Sequence, residues 1–193
     1  MALGAIASAP RVLAVTARQA FGDALPAQIT DTLNFAWTLE HIADTFYRNA
    51  PDAKVIPKEY PAVFQQIGLH EAAQVALLQS VLGAAAVKRP ETDFTAGGKH
   101  AEVFTNFATF ATLSMRFEDL GVAAYKGQAG NLIDNDDILT VALQIHSVEA
   151  RRAAIARRIA GMKAWDAAFD KPMTKDEVLT AAKPFLKACC PDA

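Results

Sequence analysis

One spacing occurs twice in this chain and limits what the chain can fold into. Glu40 is followed seven residues later by Tyr47, and Glu118 seven residues later by Tyr125. The separation of Glu71 from Glu40 is also the separation of Glu149 from Glu118. Each of the four glutamates falls in a long, Ala-rich stretch with apolar residues at three-and-four spacing and no interior proline, which is the pattern of amphipathic helices. Strand signals are scarce, with no Asn-Gly or Asp-Gly turn between alternating apolar runs. Two helical hairpins related by this repeat would place one glutamate from each of four helices at a similar depth in an antiparallel bundle.

The punctuation sets the expected elements. Pro26 opens the first helix, Ala27 to Asn49, and Pro51 follows its end. Pro57 and Pro61 bracket the start of the second, which runs to about Gly83. KRPETDFTAGGK, residues 88–99, reads as a long crossover loop. The third helix is expected over His100 to Lys126, broken by Gly127 and Gly130, with Phe104, Phe107, Phe110, Leu113 and Phe117 turned inward. The fourth spans Asp136 to Ile159, acidic at its start and basic at its end, and Gly161 closes it. Thr174 with Glu177 three residues on makes a capping box for a short last helix, which Pro184 should end. The expected fold class is all-α: a four-helix bundle over residues 26–161, an N-terminal helix or signal remnant over 1–25, and a C-terminal extension with a short helix over 162–193.

Composition excludes several classes of function. Nineteen basic against 21 acidic residues leave a formal charge of −2, with no Lys/Arg cluster interleaved with aromatics, so no nucleic-acid partner is expected. Arg11 and Arg18 interrupt the longest apolar run, so no transmembrane segment is expected. The opening MALGAIASAPRVLAVTARQA lacks a basic lead. It is either a packed helix or the back half of an export signal, and the location is cytoplasmic on the first reading and periplasmic or exported on the second. Cys189 and Cys190 are adjacent and can neither staple distant segments nor form a CxxC metal site.

The glutamates carry the chemistry. Glu40 in LNFAWTLEHIADTFY, Glu118 in FATLSMRFEDLGVAAY and Glu149 in VALQIHSVEARRAAIA have mostly apolar neighbours, unlike charges on a solvated face. The alternative to convergence is that each turns to a helix edge or pairs with an arginine such as Arg116 or Arg151. Inward carboxylates cost several kcal/mol each unless a metal, a proton or a cation compensates them. Tyr47 and Tyr125 sit about two turns from their glutamates, where a phenol reaches a carboxylate or simply packs.

LNFAWTLEHIADTFY, HEAAQVALLQSVLG, FEDLGVAAYKGQAGN and LQIHSVEARRAA resemble the four helix signatures of ferritin-like proteins of the desiccation-related group, over residues 29–160. The resemblance implies a ferritin-like bundle with a di-iron or di-manganese centre. Glu40 and Glu118 would be the single ligands, and Glu71 and Glu149 the first members of two Glu-x-x-His pairs. The chain departs from that pattern where it matters most: Gln74 and Arg152 stand where the two histidines belong. Gln74 offers a neutral carbonyl oxygen, whereas Arg152 stays charged, cannot ligate a metal, and is the natural counter-ion for a carboxylate cluster. His146, one turn before Glu149, is either an auxiliary ligand or a hydrogen-bonding residue behind the ligands; His41 and His70 point away, and His100 reads as a surface or capping residue.

Two readings follow. In the first the bundle keeps its fold without a cofactor, has lost the di-iron chemistry, and is a structural, stress-related or assembly protein, as a homo-oligomer or a subunit of something larger. In the second an altered carboxylate site binds Fe or Mn and handles oxidants; oxygen-only ligands then favour manganese, magnesium or calcium. Enzymatic activity is left open and is the lesser expectation.

Overall fold

Four long helices form because each presents one apolar stripe and must bury it. A computed structural model describes residues 25–50 and 55–187. The helices are α1 (Ala27–Asn49), α2 (Pro61–Leu82), α3 (Phe107–Gln128) and α4 (Asp136–Ile159), followed by the short α5 (Lys175–Ala182). No strand occurs among the described residues, and none of their helices is long and apolar enough to cross a membrane. The expected all-α bundle is what the chain forms. Positions 1–24 and the Cys189–Cys190 pair, each with its own expectation above, lie outside the described residues.

Helix starts follow side-chain chemistry. Asn106 accepts a hydrogen bond from the Thr109 amide at 3.1 Å, and Asn135 accepts one from Ile138 at 2.8 Å, so each satisfies a first-turn donor that the helix cannot. α5 opens with the expected capping box, Thr174 and Glu177 bonding each other's backbone amides. The expected start of α3 at His100 is corrected. Residues 94–105 form successive turns, because the left-handed Ala96, Gly97 and Gly98 reverse the chain and Asn106 caps the helix only afterwards. His100 stacks on Phe185 with ring centroids 6.0 Å apart.

α1 packs on α2 and α3 packs on α4 as two antiparallel hairpins. Across them, Tyr125 reaches Glu40 and Tyr47 reaches Glu118, a pairing that only antiparallel α1 and α3 allow. α2 therefore ends at the opposite end of the bundle from where α3 begins, and the segment from Ala86 to Asn106 must travel its length. It is pinned to α1 on the way. The Asn34 amide group holds Ala85 and Val87, and Arg89 donates to Thr45. Phe94 and Val103 then sink beside Phe46, Phe110 and Phe117. Phe46 stacks on Phe110 at 4.9 Å, and Phe46, Phe110 and Leu113 are fully buried, each contributing about 1.5–3 kcal/mol from burial.

Gly127 does not break α3, contrary to expectation; the helix runs through it to Gln128. Its missing side chain instead lets the C-terminal extension cross. A Cβ there would lie 1.8 Å from the Met173 carbonyl oxygen, while the Met173 amide donates to Ala123 at 3.1 Å. That crossing seats Val178 against Phe35 and Ala124, and brings Ala182 over the middle of the bundle.

A buried arginine among four glutamates

The matched spacing brings Glu40, Glu71, Glu118 and Glu149 into the bundle centre, each no more than 3% exposed. None of the four pairs with Arg116 or Arg151. Arg152, itself 4% exposed, extends from α4 across the core. Its Nε donates to Glu118 Oε2 at 2.8 Å, Nη1 to Gln74 Oε1 at 3.1 Å, and Nη2 to Glu71 Oε1 at 2.7 Å and to Glu149 Oε1. The planar fork of a guanidinium suits this task, since it binds three helices through fixed donor directions.

The tyrosines complete the cluster crosswise. Tyr47 on α1 donates to Glu118 on α3, and Tyr125 on α3 donates to Glu40 on α1. Seven residues along one helix is about 10 Å, too far for a phenol to reach its own glutamate, whereas the antiparallel neighbour places the other glutamate level with it. Ser114, 2.8 Å from the Tyr47 hydroxyl, is a member that sequence reasoning missed; its signal is the position one turn before Glu118. Gly121 is another. A Cβ at Gly121 would lie 2.4 Å from Glu149 Oε2, so only glycine leaves room for that carboxylate.

One cation cannot balance four carboxylates, and burial favours the protonated form of three of them. Burial pushes Glu71 well above the ordinary carboxylate range, reinforced by the charges of Glu40 and Glu149 and opposed by Arg152. Burial also raises Glu149 strongly and Glu118 less, Arg152 and the Tyr47 hydrogen bond working against it at Glu118. For Arg152 burial disfavours the charge, but Glu71, Glu149, Glu118 and Glu40 together outweigh it and keep the guanidinium charged. Burial thus pushes Glu71, Glu118 and Glu149 toward protonation around a guanidinium that stays charged.

The histidines fall elsewhere. His41 is buried edge-on to Trp37 with centroids 4.1 Å apart, and its pKa is lowered to about 4 by burial and by Arg89 and Arg48. His70 lies 2.7 Å from Gln66. His146 makes no hydrogen bond to any of the four glutamates; its Nε2 is buried without a partner, and burial lowers its pKa, aided by Lys126.

Whether a metal pair fits can be judged from these donors. A di-iron centre needs deprotonated carboxylates and two imidazoles, and here a guanidinium bonds three of the four carboxylates. The residues do not fit a metal pair. Glu40, Glu71 and Glu149 do each offer an oxygen within 4.8 Å of the others; no N–H or hydroxyl donor reaches Glu71 Oε2, and the Glu71 and Glu40 carboxyls are within hydrogen-bonding reach of each other when one is protonated. A gap of about 30 Å³ beside them is walled by Leu39, Phe117, Leu120 and Tyr125.

Comparison with known proteins agrees with the architecture. No curated protein matches the chain. A family model described as a ferritin-like domain matches residues 28–162, the span from the start of α1 to just beyond the end of α4, and the chain belongs to that family.

Proposed function

We propose that this chain is a ferritin-like bundle, of the desiccation-related group, in which a side-chain cation does the work of the metal pair, and that it serves as a structural, stress-related or assembly protein without di-iron catalysis. The observation that carries the reading is the Arg152 guanidinium, which bonds Glu71, Glu118, Glu149 and Gln74 at once. A metal pair would have to displace it and expel it from the core with its charge unpaired. Exposed Met162, Trp165 and Phe169, between α4 and α5, support an assembly role.

The test is metal content and its effect on stability. Protein expressed with iron or manganese supplied should hold far less than one equivalent, and its melting temperature should be unmoved by chelator. The double variant Gln74→His with Arg152→His restores both imidazoles and should acquire metal. Stoichiometric metal in the unaltered chain, removed by chelator with a loss of stability, would refute the proposal.

A second reading is favoured by one observation, the clustering of Glu40, Glu71 and Glu149 oxygens within 4.8 Å of one another. Three carboxylate oxygens suit a single hard cation such as manganese, and an oxidative-stress role would then rest on an altered carboxylate site. Glu149→Gln should abolish such binding.

A further inference from the structure

The end of the bundle where α1 and α4 begin holds a second cavity, of about 40 Å³, away from Arg152. All four long helices line it, through residues that include Leu33, Ala36, Leu78, Ile138 and Ala142. Its few polar neighbours are occupied elsewhere or face water. Thr32 Oγ1 donates to its own helix at Gln28, the Tyr125 hydroxyl donates to Glu40, and Gln128 Oε1 accepts from Asn131 at 2.8 Å. Asp137 is exposed. None of the buried polar atoms left without a partner among the described residues belongs to this wall.

A water molecule needs two to four polar partners, and no buried polar atom of this wall is left without one, so the carbon-lined space disfavours water although it exceeds the roughly 10–15 Å³ that one water requires. A dry cavity lined by carbon attracts nonpolar molecules, and engineered ones of about 150 Å³ take up benzene and xenon. We infer that this cavity is a binding site for a small nonpolar molecule, smaller than benzene and of the size of xenon, dioxygen or a short alkane. Leu39 and Tyr125 border both this cavity and the gap beside Glu40, Glu71 and Glu149. The occupant therefore shares two wall residues with the space beside the acid network, one of them the tyrosine that holds Glu40.

Xenon is the probe, read by methyl NMR of the full chain under increasing gas pressure. Saturable shifts are expected at the methyls of Leu33, Leu78, Val141 and Ile138, with Val63 and Val103 at the other end unmoved. Ala142→Leu places a larger side chain in the space and should weaken the xenon response about tenfold while unfolding remains cooperative. Should that variant fail to fold, Ala36→Val makes the smaller change, and its response should fall in proportion to the volume filled. Small shifts spread evenly over all methyls, a folded Ala142→Leu that responds like the parent, or ordered water found in the cavity would each overturn the inference.

Discussion

Replacing Arg152 by methionine removes the core cation and keeps most of the side chain's length. Glu71, Glu118 and Glu149 each lose a charged donor and Gln74 loses its partner, all in a region no more than 8% exposed. Removing one member of a buried ion pair costs about 3–5 kcal/mol. Three such pairs share this arginine, so that range is a floor unless the acids discharge. They can discharge, because burial already raises all three toward protonation. A carboxyl whose folded pKa is raised stabilises fully below its unfolded pKa of about 4.3, and that contribution is lost as pH rises through the folded pKa. Losing Arg152 raises the folded pKa values further and widens that window upward. The cost should therefore be small near pH 4.5 and reach at least about 3 kcal/mol by pH 8. At about 2–4 °C per kcal/mol for a chain of this size, the melting temperature at pH 8 should drop by about 10 °C. Urea unfolding of both proteins across this pH range gives the comparison. A loss below about 1 kcal/mol at pH 8, or one that does not change with pH, would refute the reasoning.

Further expectations use the same geometry. Glu71→Gln imitates the protonated acid and keeps the oxygen that faces Arg152; it should match the parent near pH 4 and exceed its stability at pH 8, and a destabilised variant at pH 8 would show that Glu71 is held ionised. Tyr47→Phe removes the donor to Glu118 and the acceptor of the Ser114 hydroxyl and should cost about 1–3 kcal/mol by denaturant unfolding, with no effect counting against the crosswise network. Gly127→Ala drives a methyl into the Met173 carbonyl and should cost about 1–3 kcal/mol, with faster proteolysis of the C-terminal extension. A proton NMR titration should give His41 a midpoint of about 4, so that stability contributed by its neutral form is lost as pH falls from about 6.5 toward that value.

Residue spacing carried most of the site. The matched separations of Glu40 from Glu71 and of Glu118 from Glu149 mark two helical hairpins of similar span, and their antiparallel packing brings the four glutamates to similar depth. The bounds of α1 and α4 were readable from local signals: Pro26 opens α1, acidic residues open α4, and Gly161 marks the end of α4. What sequence could not give were features decided between helices. Tyr47 bonds the glutamate of the opposite hairpin because α1 and α3 run antiparallel, which no separation along the chain encodes. Gly127 and Gly121 look like helix breakers in isolation, and only the crossing at Met173 and the carboxylate of Glu149 explain them. The start of α3 escapes sequence reasoning because the phenylalanines at 104, 107 and 110 continue a helical period backwards into a turn, where Phe104 packs on the same core without being helical.

The most direct test of the central claim is a crystal of the native chain soaked with manganese, with anomalous scattering collected for the metal. The account predicts no anomalous peak between Glu71, Glu118 and Glu149, and continuous density for the Arg152 guanidinium bonded to all three. Metal peaks at the bundle centre with Arg152 displaced from them would contradict it.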